Sequence, residues 1–181
     1  MTMNRNTLIA IVALVGLVAV GLILFFVLHK SHHHKKTAFI RKGYNHASYL
    51  GLEAKFLHTN FFWAGAKPGT EYEFTRLPNG RMFVRYLTSV SQIGSKKAFL
   101  TIATYPITGA YSSLKASAQS KGQGIKGRNG TFLWKDPKHP TSVYMVFKDH
   151  PDYEVEVFDK EQFSALATAR SGKVRLVRPA G

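Results

Sequence analysis

Near the N-terminus, residues 8–28 form an apolar run that no charged residue, amide or proline interrupts. As an α-helix, these 21 residues extend about 32 Å at about 1.5 Å per residue. That length matches the hydrocarbon core of a bilayer, which is about 30 Å thick. We therefore predict a transmembrane helix at residues 8–28, preceded by a short tail at residues 1–7.

Three other interpretations of the run fit it less well. A cleaved signal peptide has an apolar core of about 7–15 residues, followed by small residues at a cleavage site. Here the core is longer and leads into His29 and Lys30 without such a site. A pilin-like start needs a processing glycine and an acidic residue. A buried helix in a soluble protein seldom lacks a polar face over this length. An uncleaved signal-anchor is the preferred interpretation.

The segment after the run is rich in histidine and lysine and has no apolar periodicity. We assign residues 29–42 to a basic juxtamembrane linker and residues 43–181 to one globular domain. Adjacent histidines in such a linker make only weak metal sites, so no metal site is predicted. The cations expected to flank the membrane are Lys30, Lys35, Lys36, Arg41 and Lys42.

The chain is strongly basic, with 25 lysines and arginines, 10 acidic residues and a net charge of +15. Six of the basic residues precede Gly43, so the domain itself has 19 basic and 10 acidic residues. A basic domain beside a membrane attracts anionic lipid, anionic envelope polymers or nucleic acid, although such charge also simply keeps a protein soluble. The absence of cysteine excludes disulfides, thiolate catalysis and cysteine-ligated metals.

Patterning within the domain predicts an α+β fold, with an antiparallel sheet and two or three packing helices. Residues 44–63 look partly helical, Thr108 caps a helix that runs to about Ser120, and Asp159 caps a short third helix. Asn79-Gly80 indicates a hairpin turn, because this dipeptide tolerates positive φ. The predicted strands are residues 71–76, 81–87, 97–104, 131–134, 142–147, 153–157 and 173–177.

Apolar residues at helical or strand spacing indicate which faces are expected to be buried. Alternation in residues 153–157 puts two valines on one face of a strand and Glu154 and Glu156 on the other. The aromatic run at residues 61–63 belongs either to the core or to the membrane headgroup region. The apolar helix residues are Tyr49, Leu52, Phe56 and Leu57 in the first helix, Tyr111, Leu114 and Ala118 in the second, and Phe163, Leu166 and Ala167 in the third.

The C-terminal half runs through a helix, a glycine-rich loop, the strand GTFLWKD, a hairpin strand, the strand YEVEVFD and the short helix FSALATA. Over residues 70–177, this order resembles small bacterial membrane-anchored domains of unknown function at the C-termini of some anti-sigma factors and lipoproteins. Trp134, Tyr144, Tyr153 and Phe163 occupy comparable places. The resemblance implies a short helix that covers the sheet, and it implies no catalytic residues.

The orientation of the domain follows from two competing considerations. The basic flank after the apolar run, taken with the positive-inside rule, keeps the domain in the cytoplasm. A signal-anchor with a short cytoplasmic tail exports its domain instead, and large domains translocate despite their charge. Because of the family resemblance, we expect a single-pass protein of the cell membrane with an extracytoplasmic domain in the bacterial envelope.

The glycines at positions 122, 124 and 127 match the pattern G-x-G-x-x-G. A dinucleotide site needs this pattern between a strand and a following helix, whereas here it follows a helix and precedes a strand, so no cofactor is predicted. The segment is instead expected to be a flexible loop that either contacts an anion or simply connects two elements. The expected polyanion-binding residues are Lys121, Lys126, Arg128, Lys135 and Lys138, with Trp134 nearby.

No catalytic motif of the type G-x-S-x-G or H-E-x-x-H is present in the sequence. We therefore predict no catalytic or metal-binding residues, and a non-enzymatic domain that binds a partner or supports a complex at the membrane surface. The alternatives are a polyanion or nucleic-acid-binding module, and an enzyme of unrecognised type with a pocket around His139 or His150. The expected partners are the lipid bilayer, an anionic lipid, an envelope polymer or nucleic acid, and other membrane proteins.

Overall fold

A computed structural model describes residues 39–44, 46–121 and 123–178 of the chain. The predicted transmembrane helix, the N-terminal tail and most of the predicted linker lie outside these residues. Within the described ranges, no helix combines the length and the apolar character needed to cross a bilayer.

In the described part of the chain, ten strands account for most of the regular structure. They are β1 (Phe39–Tyr44), β2 (Phe62–Trp63), β3 (Glu71–Arg76), β4 (Met82–Leu87), β5 (Thr101–Pro106), β6 (Gly124–Lys126), β7 (Thr131–Lys135), β8 (Ser142–Phe147), β9 (His150–Phe158) and β10 (Arg175–Leu176). Eight of them form one antiparallel sheet in the order β1-β3-β4-β5-β9-β8-β7-β6. Strands β2 and β10 pair as a separate antiparallel ribbon. β1 begins inside the range assigned to the linker from sequence.

Among the described residues, three helices accompany the sheet: α1 (Ser48–Leu57), α2 (Ala110–Ser120) and α3 (Gln162–Arg170). A short 3₁₀ turn, Val90–Gln92, follows β4. The predicted α+β class with an antiparallel sheet is thus confirmed. Helices α1 and α3 and the β2–β10 ribbon contribute to a core on one face of the sheet, which we call the two-helix face. Helix α2 packs on the opposite face, which we call the α2 face.

Strand alternation assigns side chains to these two faces. In β9, Val155 and Val157 are fully buried in the main core, while Glu154 and Glu156 point to the α2 face, as the sequence predicts. The predicted turn at Asn79-Gly80 is also confirmed, because Gly80 has a φ of 82° and its amide donates to the Leu77 carbonyl oxygen.

Helix α2 buries Leu114 and Ala118, as predicted, against Phe132 and Val146 in a second core. The predicted cap at Thr108 is wrong, because the capping position is Gly109 in a left-handed conformation, with φ of 70°. Its amide donates a 2.7 Å hydrogen bond to the Asp152 carboxylate. A glycine suits this position since residues with a side chain rarely adopt such a φ.

The predicted apolar stripe of α3 is only partly right: Leu166 is half-buried against the main core, but Phe163 is 75% exposed, Ala167 is exposed, and the buried residues are Ala165 and Ala169. In α1, Phe56 is likewise 68% exposed, whereas Leu50 and Ala54 are buried. Helix α3 turns two alanines to the sheet, which lets its backbone approach β8 and β9 closely. The predicted Asp159 cap is also wrong, since α3 begins after Glu161 and no side chain caps it.

The aromatic run at residues 61–63 belongs mainly to the core, the first of the two alternatives considered. Phe61 and Phe62 are fully buried, and Phe62 stacks on Phe147 with 4.6 Å between the ring centroids. The amide of Phe62 donates to the Thr104 hydroxyl at 3.0 Å. These contacts fix the β2–β10 ribbon against the two-helix face.

The segment expected to be a flexible glycine-rich loop contains β6, an edge strand paired with β7. A Cβ atom at Gly124 would overlap the ring of Phe132, and one at Gly127 would crowd Leu133. Glycine is needed here because the strands approach closely over these two side chains.

Candidate functional site

A cleft of about 590 Å³ opens on the two-helix face near the β6 edge of the sheet. We call it the hairpin cleft, because the β6–β7 hairpin forms one wall, while the end of α3 and strand β10 form the other. Four basic residues of the described chain line it: Lys126 and Arg128 from the hairpin, and Arg170 and Arg175 from the opposite wall. Lys126 pairs with Phe132 of the second core, so the strand alternation directs its side chain to the α2 face, and the cations that face the cleft are the three arginines. Its floor includes apolar side chains such as Leu133 and Met145.

The four basic residues have no acidic partner among the described residues, where the ion pairs are Arg85–Glu73 and His139–Asp136. Among the described residues, Asp149 is the one carboxylate that lines the cleft, and His150 lies beside it. With neutral histidine, the described side chains that face the cleft therefore have three positive charges against one negative charge. Positive potential is concentrated where cations surround a concave surface with an apolar floor.

A tight turn positions Arg128 at the tip of the hairpin. Asn129 and Gly130 have φ values of 51° and 72°, and the amide of Thr131 donates to the Arg128 carbonyl oxygen at 3.0 Å. An Asn-Gly pair with two positive φ values matches the twist of the flanking strands. The local sequence thus fixes the direction of the hairpin wall.

The opposite wall depends on the exit from α3. This helix ends at Arg170, and Gly172, with a φ of 74°, reverses the chain toward β10. In β10, Arg175 pairs with Trp63 and Leu176 pairs with Phe62. The two arginines of this wall are therefore brought to the cleft by a helix end and by the ribbon.

A second cleft, of about 480 Å³, adjoins the first at β10. We call it the helix cleft, because the start of α1 lines it through Ala47, Ser48 and Gly51. It shares Arg175 and Leu176 with the hairpin cleft, and it adds Trp63 and Arg178. The guanidinium carbon of Arg175 lies 5.9 Å from the centroid of the Trp63 ring, within reach of a cation–π interaction.

The structure separates the five cations expected from sequence to bind a polyanion. Lys126 and Arg128 line the hairpin cleft. Lys121 lies on the α2 face, 4.9 Å from the Trp134 ring, and Lys135 lies 5.9 Å from the Phe163 ring. Lys138 is exposed in the turn after β7, where its amide donates to the Asp136 carboxylate at 2.9 Å. Of the cations expected to flank the membrane, Arg41 and Lys42 lie in β1, and the other three lie outside the described residues.

Sequence reasoning missed Arg170, Arg175 and Arg178, because the fold alone brings this C-terminal segment to the distant hairpin. A local signal was present, however, since residues 170–178 contain three arginines and one lysine and no acidic residue. A basic segment next to a short strand indicates a charged surface, but it does not reveal which element lies opposite.

The α2 face has a polar cluster centred on Glu156. Its carboxylate accepts hydrogen bonds from the hydroxyls of Tyr105, at 2.6 Å, and Ser142, at 2.5 Å. Burial raises the pKa of Glu154, and the neighbouring Glu156 raises it further. Burial also raises the pKa of Tyr144 to about 12. Ser142 is only 5% exposed, so its hydroxyl faces the interior rather than a ligand.

The two histidines considered for an enzyme pocket lie in different surroundings. His150 lines the hairpin cleft, with its ring edge-on to Phe62 at 5.7 Å. His139 is exposed in the turn after β7, and its ring contacts Asp136 at 2.9 Å. That contact lowers the pKa of Asp136. Among the described residues, no group of three histidine, aspartate or glutamate side chains is arranged to hold a metal ion.

Comparisons with protein-family models, with curated proteins and with solved structures gave no match to this chain. Function is therefore argued from the chemistry of the two clefts.

Proposed function

We propose that this chain is a single-pass membrane protein whose domain binds a phosphate-bearing anion in the hairpin cleft, without catalysing a reaction. One observation carries the proposal: three arginines surround this cleft, and none has an acidic partner among the described residues. Unpaired cations around a concave surface raise the local concentration of anions and speed their capture.

The type of cation favours phosphate as the anionic group. The three cations that face the cleft are all arginines, although lysine is the commoner cation in the chain. The planar guanidinium group donates two parallel hydrogen bonds to one phosphate, and it loses less hydration than an ammonium group. The apolar floor strengthens these interactions because it lowers the local dielectric constant.

In this proposal, the apolar run at residues 8–28 anchors the protein in the membrane, and the domain is extracytoplasmic. Anionic lipids, envelope polymers and nucleic acid outside the cytoplasm are then the phosphate sources within reach. Protease is added to cells whose outer layer is permeabilised and whose cell membrane is intact. It is expected to remove a C-terminal epitope tag. Survival of the tag until the membrane is breached would instead indicate a cytoplasmic domain.

The binding test uses the full-length protein in nanodiscs of zwitterionic phosphatidylcholine, with pyrophosphate as the probe in calorimetric titrations. Arg128→Gln and Arg170→Gln are each expected to weaken binding at least tenfold. Arg81→Gln is the matched control, because Arg81 is an exposed arginine of the β3–β4 hairpin and lines neither cleft. Binding that is unchanged by all three substitutions, or absent from the unmodified protein, would overturn the proposal.

A second titration identifies the source of the phosphate. Anionic phosphatidylglycerol in the nanodiscs competes with pyrophosphate only if lipid headgroups reach the cleft. If pyrophosphate binds more weakly in these nanodiscs, and if Arg128→Gln removes this difference between the two lipids, the cleft is assigned to lipid. Unchanged binding would assign it to a soluble or polymeric phosphate.

A further inference from the structure

The two clefts form one continuous surface, because β10 belongs to both. Arg175 and Leu176 line the hairpin cleft on one side of the strand and the helix cleft on the other. A ligand in the first cleft can therefore continue into the second without leaving the protein surface. A single phosphate group fills only one of them.

Cations follow this surface along its whole length. The hairpin cleft contributes Arg128 and Arg170, Arg175 lies at the junction, and Arg178 lines the helix cleft. Four of the nine arginines in the chain are in this group. Among the described residues, no acidic side chain lines the helix cleft. Cations in this arrangement suit a chain of phosphates better than one compact anion.

An aromatic ring is available on the same surface. Trp63 is only partly buried, lines the helix cleft and has the Arg175 guanidinium group 5.9 Å from its ring centroid. Tyr72 contacts the indole edge-on, with 6.2 Å between the ring centroids. A cationic groove beside an aromatic ring is the combination that binds unpaired nucleobases, since bases stack on the ring while cations hold the backbone.

We propose that the ligand is a single-stranded nucleic acid that crosses both clefts, with its backbone on the arginines and one base against Trp63. This inference rests on the proposed function, because the hairpin cleft is part of the surface. It goes further in three respects: the ligand is a chain, it extends past Arg175 to Arg178, and it has planar bases.

The test measures fluorescence anisotropy of labelled single-stranded dT20 with the full-length protein in phosphatidylcholine nanodiscs. Arg178→Gln is expected to weaken dT20 binding at least fivefold and to leave pyrophosphate binding unchanged. Pyrophosphate itself is expected to compete with dT20, because both occupy the hairpin cleft. Arg81→Gln is again the control.

Trp63→Leu separates nucleic acid from other polyanions. It is expected to weaken dT20 binding about tenfold while leaving the binding of a 20-unit linear polyphosphate unchanged. A second measurement keeps Trp63 unchanged. The variant Trp134→Phe leaves Trp63 as the one tryptophan of the chain. Binding of dT20 is expected to quench the fluorescence of Trp63 in this variant.

Equal binding of dT20 and polyphosphate, with no quenching of Trp63, would overturn the nucleic-acid assignment in favour of a ring-free polymer. Binding of dT20 that is insensitive to Arg178→Gln would overturn the two-cleft path. If Arg128→Gln still abolished pyrophosphate binding in these cases, the proposed function would stand and only its extension would fail.

Discussion

The hydroxyl of Tyr105 donates a 2.6 Å hydrogen bond to Glu156, a residue 51 positions away in sequence. This bond joins the adjacent strands β5 and β9. The two strands connect the half of the sheet made by β1, β3, β4 and β5 to the half made by β9, β8, β7 and β6. Burial and this bond to Glu156 both raise the pKa of Tyr105, so the phenol stays protonated as the donor.

Tyr105→Phe is expected to lower the free energy of unfolding by about 1.5–3 kcal/mol, the usual effect of losing a hydrogen bond to a carboxylate. The measurement is urea denaturation of the full-length protein in detergent micelles, followed by tryptophan fluorescence. Tyr111→Phe is the matched control, because the Tyr111 hydroxyl makes no hydrogen bond to a described residue. Equal losses in the two variants would contradict a stabilising role for the Tyr105–Glu156 bond.

Glu154 gives the stability of the domain a pH dependence of known sign. Burial raises its pKa above the usual 4.5 in the folded state, so the folded protein keeps this proton to higher pH than the unfolded chain. Between the two pKa values, the unfolded state binds fewer protons, and the free energy of unfolding therefore falls as pH rises.

Glu154→Gln is expected to flatten this fall and to make the domain more stable at pH 7. The check is a series of urea denaturations between pH 4 and 8, with the exposed Glu161→Gln as control. Parallel pH profiles for the unmodified protein and Glu154→Gln would show that Glu154 does not cause the dependence.

The ion pair of Arg85 and Glu73 fixes the segment between β4 and β5. Arg85 donates to Glu73 at 2.8 Å and to the carbonyl oxygen of Ser95 at 2.7 Å, while the Gly94 amide donates to the other Glu73 oxygen. Arg85→Met is expected to destabilise the domain by about 3–5 kcal/mol, because it leaves a buried carboxylate without its cation.

The double variant Arg85→Met with Glu73→Gln is expected to recover part of this loss, since no charge is then left unpaired. Urea denaturation measures both variants, and limited proteolysis follows the release of the segment. A double variant no more stable than Arg85→Met alone would contradict the electrostatic explanation.

Gly124→Ala is expected to destabilise β6 by about 1–3 kcal/mol, because the added methyl group overlaps the Phe132 ring. Hydrogen exchange of the β6 and β7 amides measures the effect locally. Phe132→Leu makes the side chain at this position smaller. The double variant with Gly124→Ala is expected to lose less stability than the sum of the losses in the two single variants. Strict additivity would argue against steric overlap.

Strand faces and tight turns were accessible from sequence. The period-two pattern around Val155 and Val157 is strong, and Asn79-Gly80 has a specific backbone requirement, so both predictions are confirmed. Helix faces were less accessible, because the apolar residues of α3 did not reveal that Ala165 and Ala169 face the sheet. Close packing against a sheet favours small side chains, and hydrophobic periodicity gives these little weight.

The candidate site was only partly accessible, for a different reason. Lys126 and Arg128 stand out because they are close together in a glycine-rich segment. Arg170 and Arg175 join them only through the return of the chain after α3 and the pairing of β10 with β2. Lys121 and Lys135, although close in sequence to the hairpin, contact aromatic rings outside the cleft.

The two outermost strands of the sheet, β1 and β6, differ in how firmly they are attached. β1 has six residues and follows the predicted anchor, whereas β6 has three and borders the hairpin cleft. Seven strand spacings separate them, about 34 Å at about 4.8 Å each. Because β6 is attached to β7 by three residue pairs, fraying of this short edge strand would move Arg128 away from Arg170 and Arg175 and widen the hairpin cleft, while the rest of the sheet keeps its fold.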